Sequence, residues 1–152
     1  MMDRLDDAVD HVRGGPEGRL VLEYGDYECP YSRAAFRHFP LTQIHPHALA
    51  ASAAAEAAAA QGRFWEMHEL LFHHQQALEH HDLRGYAAEL GLDVERFEAD
   101  RASAGVAARI RRDVESGLAT GEVLGTPTLF IDGVVHRGPY DAGSLMQEVT
   151  VS

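Results

Sequence analysis

The stretch Leu20–Ser32, LVLEYGDYECPYS, predicts a buried strand that leads into a cysteine at the start of a helix. Its apolar first half, residues 20–24, predicts the strand, and Gly25-Asp26 ends it. The only cysteine of the chain, Cys29, follows within three residues, and Pro30 suits the first turn of a helix. A thiol at a helix N-terminus is stabilised as the thiolate, which is the nucleophilic form. The stretch therefore predicts a reactive cysteine rather than a buried, inert one.

Composition indicates a soluble globular protein. The 152 residues are 45% hydrophobic and 24% charged, and the net charge is −11 with histidine neutral. Such an acidic chain is a poor ligand for nucleic acid or anionic membrane surfaces. The N-terminus lacks the apolar core of a signal peptide, and no apolar run approaches the roughly 18 residues of a membrane span. We expect a cytoplasmic protein without nucleic-acid or membrane partners; its oligomeric state is open.

Periodicity along the rest of the chain predicts one α/β domain over residues 1–152. Further strands are expected over 36–39, 129–131 and 134–137, the last two joined by a turn at Asp132-Gly133. Helices are predicted for these segments: about 46–61, 64–72, 83–90, from 93 onward, 103–120 and 141–149. Most of the helices therefore form an insertion over about 46–120.

Two predictions concern individual residues of these helices. Asp82 is expected to cap the helix over 83–90, because its side chain can accept a hydrogen bond from the first turn. Val106, Ile110, Val114 and Leu118 follow one another at four-residue steps. They are predicted to form the buried face of the helix over 103–120.

Several motifs in this order resemble the DsbA-like branch of the thioredoxin superfamily. They are LEYGDYECPY at 22–31, FRHFPL at 36–41, HPHA at 45–48, GRFW at 62–65 and GTPTLFIDG at 125–133. The resemblance implies a thioredoxin-like fold, in which a central mixed sheet is flanked by helices and carries a helical insertion. It also implies a thiol–disulfide oxidoreductase that acts on protein thiols, protein disulfides or glutathione. No cofactor is implied beyond glutathione as a candidate co-substrate.

The resemblance implies a role for each matching position. Cys29 matches the nucleophile, and Glu23 matches a buried acid beneath it that can exchange protons with the sulfur. Pro127 matches a cis proline beside the sulfur, and the backbone of Thr126 is expected to pair with a bound peptide. The substrate-binding set implied in this way is Pro30, Tyr31, Thr126 and Pro127.

Ser32 departs from the family pattern, because it replaces the second cysteine. Without that thiol no internal disulfide can form at the site. The Ser32 hydroxyl can still donate a hydrogen bond to the Cys29 sulfur and favour the thiolate. Position 32 is therefore either native serine in a single-thiol enzyme or a serine introduced in place of cysteine.

The interval between the first two strands is a second departure. Parallel neighbours need a crossover of a dozen or more residues, and too few residues separate Cys29 from Phe36 to form one with a helix. We predict that a helix-length segment is missing between about Arg33 and Arg37, with a truncated core as the alternative.

Other functions are left open by the sequence. One alternative is a glutathione-dependent transferase or isomerase. Kappa-type members of the superfamily have the same fold and carry a serine near the glutathione sulfur. A non-catalytic module would use the cis-proline loop to dock peptides. A metal site is a further alternative, because the chain has ten histidines. The candidate pairs are His45 and His47, His73 and His74, and His80 and His81. Neither a His-Glu-x-x-His motif nor a paired Cys-x-x-Cys is present, so no metal ligand is assigned.

Overall fold

The computed structural model describes residues 10–13, 20–27 and 36–137, which contain four strands and five helices. The strands are β1 (Val21–Gly25), β2 (Phe36–His38), β3 (Thr128–Ile131) and β4 (Val134–Val135). The helices are α1 (Ala48–Ala59), α2 (Phe64–His73), α3 (His80–Glu89), α4 (Val94–Arg101) and α5 (Ala104–Thr120). All five helices lie between β2 and β3 along the chain, which confirms the α/β class and the helical insertion. None of these helices is long and apolar enough to cross a membrane.

The sheet is mixed, with the strand order β2-β1-β3-β4. The central strand β1 runs parallel to β2, with Glu23 opposite Phe36. It runs antiparallel to β3, with Tyr24 opposite Thr128. Strands β3 and β4 form the predicted hairpin, and both residues of its turn have positive φ, 49° at Asp132 and 85° at Gly133. Two-residue hairpin turns of this kind need positive φ at both positions, which Asp-Gly supplies readily.

Side chains of β1 alternate between the two faces of the sheet, as they must in a strand. Leu22 and Tyr24 belong to one core with Phe130, and the Tyr24 hydroxyl reaches Ser116 of α5 at 2.7 Å. On the other face, the ring of Phe36 belongs to the larger core formed mainly by α1, α2, α3 and α4. The sheet therefore separates a core under α5 from a core inside the helical insertion.

The buried face of α5 is rotated from the predicted one. Ile110 is buried as expected, but Leu118 is 61% exposed. An α-helix has 3.6 residues per turn, so three successive four-residue steps turn the last side chain by about 120° from the first. Gly117 faces the sheet instead, and a Cβ there would lie 3.0 Å from ring atoms of Tyr24 and Phe39.

The N-terminus of α3 also differs from the prediction. The helix begins at His80 with Glu79 as its N-cap, and Asp82 lies in its first turn. The Asp82 carboxylate accepts a hydrogen bond from the Glu79 backbone N–H at 3.1 Å, which is the reciprocal half of a capping box. Asp93 does cap α4, accepting from the Arg96 backbone N–H at 3.0 Å. The helix predicted over 141–149 lies outside the described residues.

Candidate functional site

The carboxyl end of β1 and the start of β3 lie side by side in the sheet. Because Tyr24 is opposite Thr128 in an antiparallel pair, the next step of the register brings Gly25 opposite Pro127. The Thr126–Pro127 peptide bond is cis, as predicted. Cys29 follows Gly25 by four residues along the chain. The register therefore brings Pro127 beside the stretch that leads to the cysteine.

Residues 28–35 lie outside the described residues, so the predictions for Cys29, Pro30, Tyr31 and Ser32 are not tested by the structure. Two further predictions depend on the same segment and are not tested either. They are the helix that begins at Cys29 and the missing stretch of chain between about Arg33 and Arg37. The described part of the site consists of the residues that precede it, the Thr126–Pro127 loop and their neighbours.

Glu23 is buried in the middle of β1, with none of its surface exposed. Its side chain shares a face with Gly25, and Oε1 lies 3.0 Å from the position that a Cβ on Gly25 would take. The Phe36 ring occupies the same space, so no larger residue fits at position 25. The carboxylate thus lies toward the carboxyl end of β1. Its burial agrees with the prediction, and its proton exchange with a thiol stays a prediction.

Tyr27 lies two residues before Cys29 and is hydrogen-bonded to residues of the helical insertion. Its hydroxyl and Nδ1 of His68 share a hydrogen bond at 3.0 Å, and its carbonyl accepts from Nε2 of Gln75 at 2.8 Å. Burial raises the pKa of Tyr27 well above its ordinary value, and the charges of Glu56 and Glu23 raise it further. The phenol therefore stays protonated and fixes the chain that leads into the segment containing Cys29.

Asp26 joins the end of β1 to the loop that follows β2. Its Oδ2 accepts a hydrogen bond from the Leu41 backbone N–H at 2.8 Å and contacts Nδ1 of His45 at 2.8 Å. Asp26 is fully buried, whereas His45 is partly exposed. His45, one of the metal candidates from the sequence, therefore has a carboxylate partner beside the candidate site.

A cavity of about 470 Å³ opens next to the cis peptide bond. Its described lining comprises Glu122, Leu124, Gly125, Thr126, Pro127, Thr128, Val135, His136 and Arg137. An ion pair between Glu122 and Arg137 lies at the cavity, and Leu124 is 87% exposed. Sequence reasoning identified Thr126 and Pro127 but not their neighbours. The sequence feature that could have indicated this lining is Leu124, an apolar residue two positions before Thr126.

The histidines that converge on a carboxylate are not the predicted candidates. His11 and His38 both contact Glu56, at 2.6 Å and 2.8 Å. These residues are far apart in sequence, so no short motif revealed them. A second group lies at the surface near the start of α3 and does include a predicted candidate, His81, beside Glu79 and Asp82.

Comparison with known families and structures identifies the class of protein. Residues 38–142 match the family model described as a DSBA-like thioredoxin domain. The structure of a thioredoxin-like oxidoreductase from Silicibacter pomeroyi superposes with a TM-score of 0.80 and 26% identity, over 94% of this chain and 91% of that chain. Oxidised BdbD from Bacillus subtilis superposes with a TM-score of 0.79 and 18% identity, over 97% and 95% of the two chains. The chain belongs to the DSBA-like thioredoxin domain family, and its fold is that of DsbA-like thiol–disulfide oxidoreductases.

Segments of much longer chains that are named as Na⁺/H⁺ antiporters also match this chain. The Na⁺/H⁺ antiporter NhaA 1 of Salinispora arenicola is 44% identical over 99% of this chain and 26% of its own length. The NhaA 1 of Mycolicibacterium gilvum is 45% identical over 94% of this chain and 26% of its own length. This chain thus spans about a quarter of these relatives. The first alignment runs over 168 positions, more than the 152 residues of this chain, so that relative has residues that this chain lacks.

Proposed function

We propose that this chain is a single-thiol exchange domain in which Cys29 attacks disulfides of proteins or of glutathione. The Cys29 thiolate attacks a disulfide R–S–S–R′, the S–S bond breaks, and R′–S⁻ leaves while Cys29–S–S–R forms. Ser32 cannot displace R, because a hydroxyl does not take part in thiol–disulfide exchange. An external thiolate therefore attacks the mixed disulfide, takes R away and regenerates the Cys29 thiolate.

The observation that carries this proposal is the register between β1 and β3. Tyr24 lies opposite Thr128, so Pro127 is next to the end of the strand that leads within four residues to the only cysteine. Glu23 is buried on the same strand. A buried carboxyl near a thiol can accept or release the thiol proton, which is the role proposed for Glu23.

The surroundings of Pro127 support a peptide as the substrate. The cavity beside the cis bond has an exposed apolar side chain, Leu124, and an ion pair of Glu122 with Arg137. In the proposal the Thr126 backbone pairs with the substrate chain, and Pro30 and Tyr31 contact it from the cysteine side. Leu124 then contacts an apolar side chain of the substrate next to its cysteine.

Mass spectrometry after incubation with oxidised glutathione tests the proposal. We expect one glutathionyl group per chain on Cys29, removed by dithiothreitol and absent from Cys29→Ser. Conjugation of reduced glutathione to an electrophile, with no stable adduct on Cys29, would instead indicate the kappa-type transferase. Peptide binding in the cavity with an unreactive Cys29 would indicate a non-catalytic module.

The antiporter relatives suggest where such a domain acts. Because segments of Na⁺/H⁺ antiporters match nearly the whole chain, we propose that its protein substrate is a disulfide of an antiporter of that class, from which Cys29 takes one sulfur and releases the other as a thiolate. Coexpression with such an antiporter is expected to give a disulfide-linked species on a non-reducing gel. This species should vanish in Cys29→Ser and persist in Leu118→Ala, a substitution at an exposed position of α5. A disulfide-linked species that also forms in Cys29→Ser would contradict the antiporter as the substrate. It would leave the reaction of Cys29 with glutathione unaffected.

A further inference from the structure

Three side chains from distant parts of the sequence converge between the N-terminal segment, β2 and α1. His11 Nε2 lies 2.6 Å from Oε1 of Glu56, and His38 Nε2 lies 2.8 Å from the same oxygen. His38 is fully buried, Glu56 is 8% exposed and His11 is 16% exposed. None of the three belongs to the proposed thiol-exchange site. They therefore form a separate buried cluster with one side toward solvent.

Each member of the cluster is positioned by its own element. His38 is in β2, where it pairs with Gly25, and Glu56 lies within α1. The His11 ring stacks on Phe64 with 3.4 Å between ring centroids. The neighbouring Asp10 accepts hydrogen bonds from Arg37 at 2.9 Å and 2.8 Å, which fastens the segment carrying His11 to β2. The three side chains are therefore directed to one point by the fold.

We propose that His11, His38 and Glu56 bind a divalent cation of the zinc class. Two imidazole nitrogens and one carboxylate oxygen form a donor set that three-ligand zinc sites use, with water as the fourth ligand. The three donor atoms lie within 4.8 Å of one another, so one ion can reach all of them. Imidazole and carboxylate together favour zinc and its d-block neighbours over calcium or magnesium, which prefer oxygen ligands.

The three side chains are spaced as a hydrogen-bonded group. Zinc bonds to nitrogen and oxygen of about 2.0–2.2 Å place the ligands of a tetrahedral site about 3.3 Å apart. The two N–O distances of 2.6 Å and 2.8 Å must therefore open by about half an ångström. His11 is the most exposed member, and rotation of its side chain can supply this movement while the Asp10–Arg37 pair holds the backbone in place.

Charge at the cluster is compatible with a cation. Glu56 supplies the one carboxylate of the cluster, and its Oε1 faces both imidazoles. Arg109 is the nearest fixed cation, with Nε 3.6 Å from Oε2 of Glu56. Its Nη1 already donates to Asp113 at 2.7 Å, so Arg109 keeps a carboxylate partner when Glu56 binds a metal.

Zinc titration of the full chain in a Cys29→Ser background tests the site, because this background removes the one thiol. Chelator-stripped protein is titrated with Zn²⁺ alone in competition with a chromophoric chelator. The test variants are His11→Gln and Glu56→Gln. The matched control is His81→Ala, which alters the exposed Glu79, His81 and Asp82 group. Extended X-ray absorption fine structure on the zinc-loaded background protein gives the ligands without any variant of the cluster.

One Zn²⁺ per chain is expected. Loss of an outer-shell partner alone lowers metal affinity by about 10–100-fold, so loss of a direct ligand in His11→Gln or Glu56→Gln should lower it by more than about 100-fold. His81→Ala is expected to retain full affinity, and the X-ray absorption spectrum is expected to show two imidazole ligands and no sulfur. The absence of stoichiometric binding, loss of binding in His81→Ala, or a spectrum without two imidazoles would overturn the proposal. If the cluster variants fail to fold, the spectrum of the background protein decides.

Discussion

Glu23 of β1 lies opposite Phe36 of β2 in a parallel pair, although only residues 26–35 connect the two strands. Parallel neighbours normally need a crossover of a dozen or more residues, which usually includes a helix. The two strands are nevertheless adjacent, as the family resemblance implied. The longer alignment with the Salinispora arenicola antiporter agrees with a segment that this chain lacks. Its position between Arg33 and Arg37 remains a prediction.

Inserting a helix-length segment of that relative between Arg33 and Phe36, before β2 begins, is expected to stabilise the protein. A crossover helix would cover the sheet and bury apolar surface, and each kcal/mol gained raises the melting temperature by about 2–4 °C in a chain of this size. Thermal unfolding followed by circular dichroism measures the change. The control is a glycine-serine linker of equal length. Equal melting temperatures for helix and linker would show that the core does not need the segment.

Tyr27→Phe is expected to destabilise the fold by about 1–3 kcal/mol, because it removes a hydrogen bond to His68 in a buried site. Tyr86→Phe is the matched control. It makes the same chemical change at a partly buried hydroxyl, which donates to the Ala77 carbonyl at 2.7 Å. Water can replace that hydroxyl, so its loss should cost about 0.5–1.5 kcal/mol. Urea unfolding compares the two, and an equal or larger loss in Tyr86→Phe would contradict the anchoring role of Tyr27.

Gly117→Ala is expected to be less stable than Gly85→Ala by about 1–3 kcal/mol, the usual cost of overpacking a core. Both substitutions gain the same helix propensity, so their difference isolates packing. A Cβ at Gly117 meets the rings of Tyr24 and Phe39 at 3.0 Å, whereas nothing lies within 4 Å of one at Gly85. Chemical denaturation measures both. Equal stability would mean that the two rings move aside without cost.

The alkylation of Cys29 by iodoacetamide is expected to have a midpoint below the pKa of about 8.5 of a free cysteine. The helix start predicted at Cys29 and the Ser32 hydroxyl would both favour the thiolate, so we expect the rate to reach its plateau at a lower pH. Ser32→Ala should move the midpoint upward. A midpoint at or above about 8.5 in the parent chain would remove the basis for a reactive thiol.

Local signals explain which parts of the fold the sequence predicted. The Asp132-Gly133 turn is set by its own two residues, and the structure has it where the sequence places it. The buried face of α5 was predicted wrongly, because a four-residue repeat drifts around a helix and a glycine can take the inward position. The choice of Gly117 depends on aromatic rings from other elements, which no local pattern reports.

The site was predictable only in part for the same reason. Burial of Glu23 and the cis bond before Pro127 followed from motifs carried by the family resemblance. The cluster of His11, His38 and Glu56 depends on contacts between residues 45 and 18 positions apart. Such contacts exist only once the sheet and the helical insertion have packed together, so no spacing rule could indicate them.

The central claim is that Cys29 is the nucleophile and that Ser32 lies next to it without supplying a second thiol. The most direct test follows the glutathione adduct by mass spectrometry in the parent chain and in Ser32→Cys. In the parent chain the adduct should persist until an external thiol is added, because no second thiol can displace glutathione. In Ser32→Cys the new thiolate should attack the mixed disulfide, release one glutathione per chain and leave an internal disulfide. An adduct in Ser32→Cys that lasts as long as in the parent chain would contradict the proposed active site.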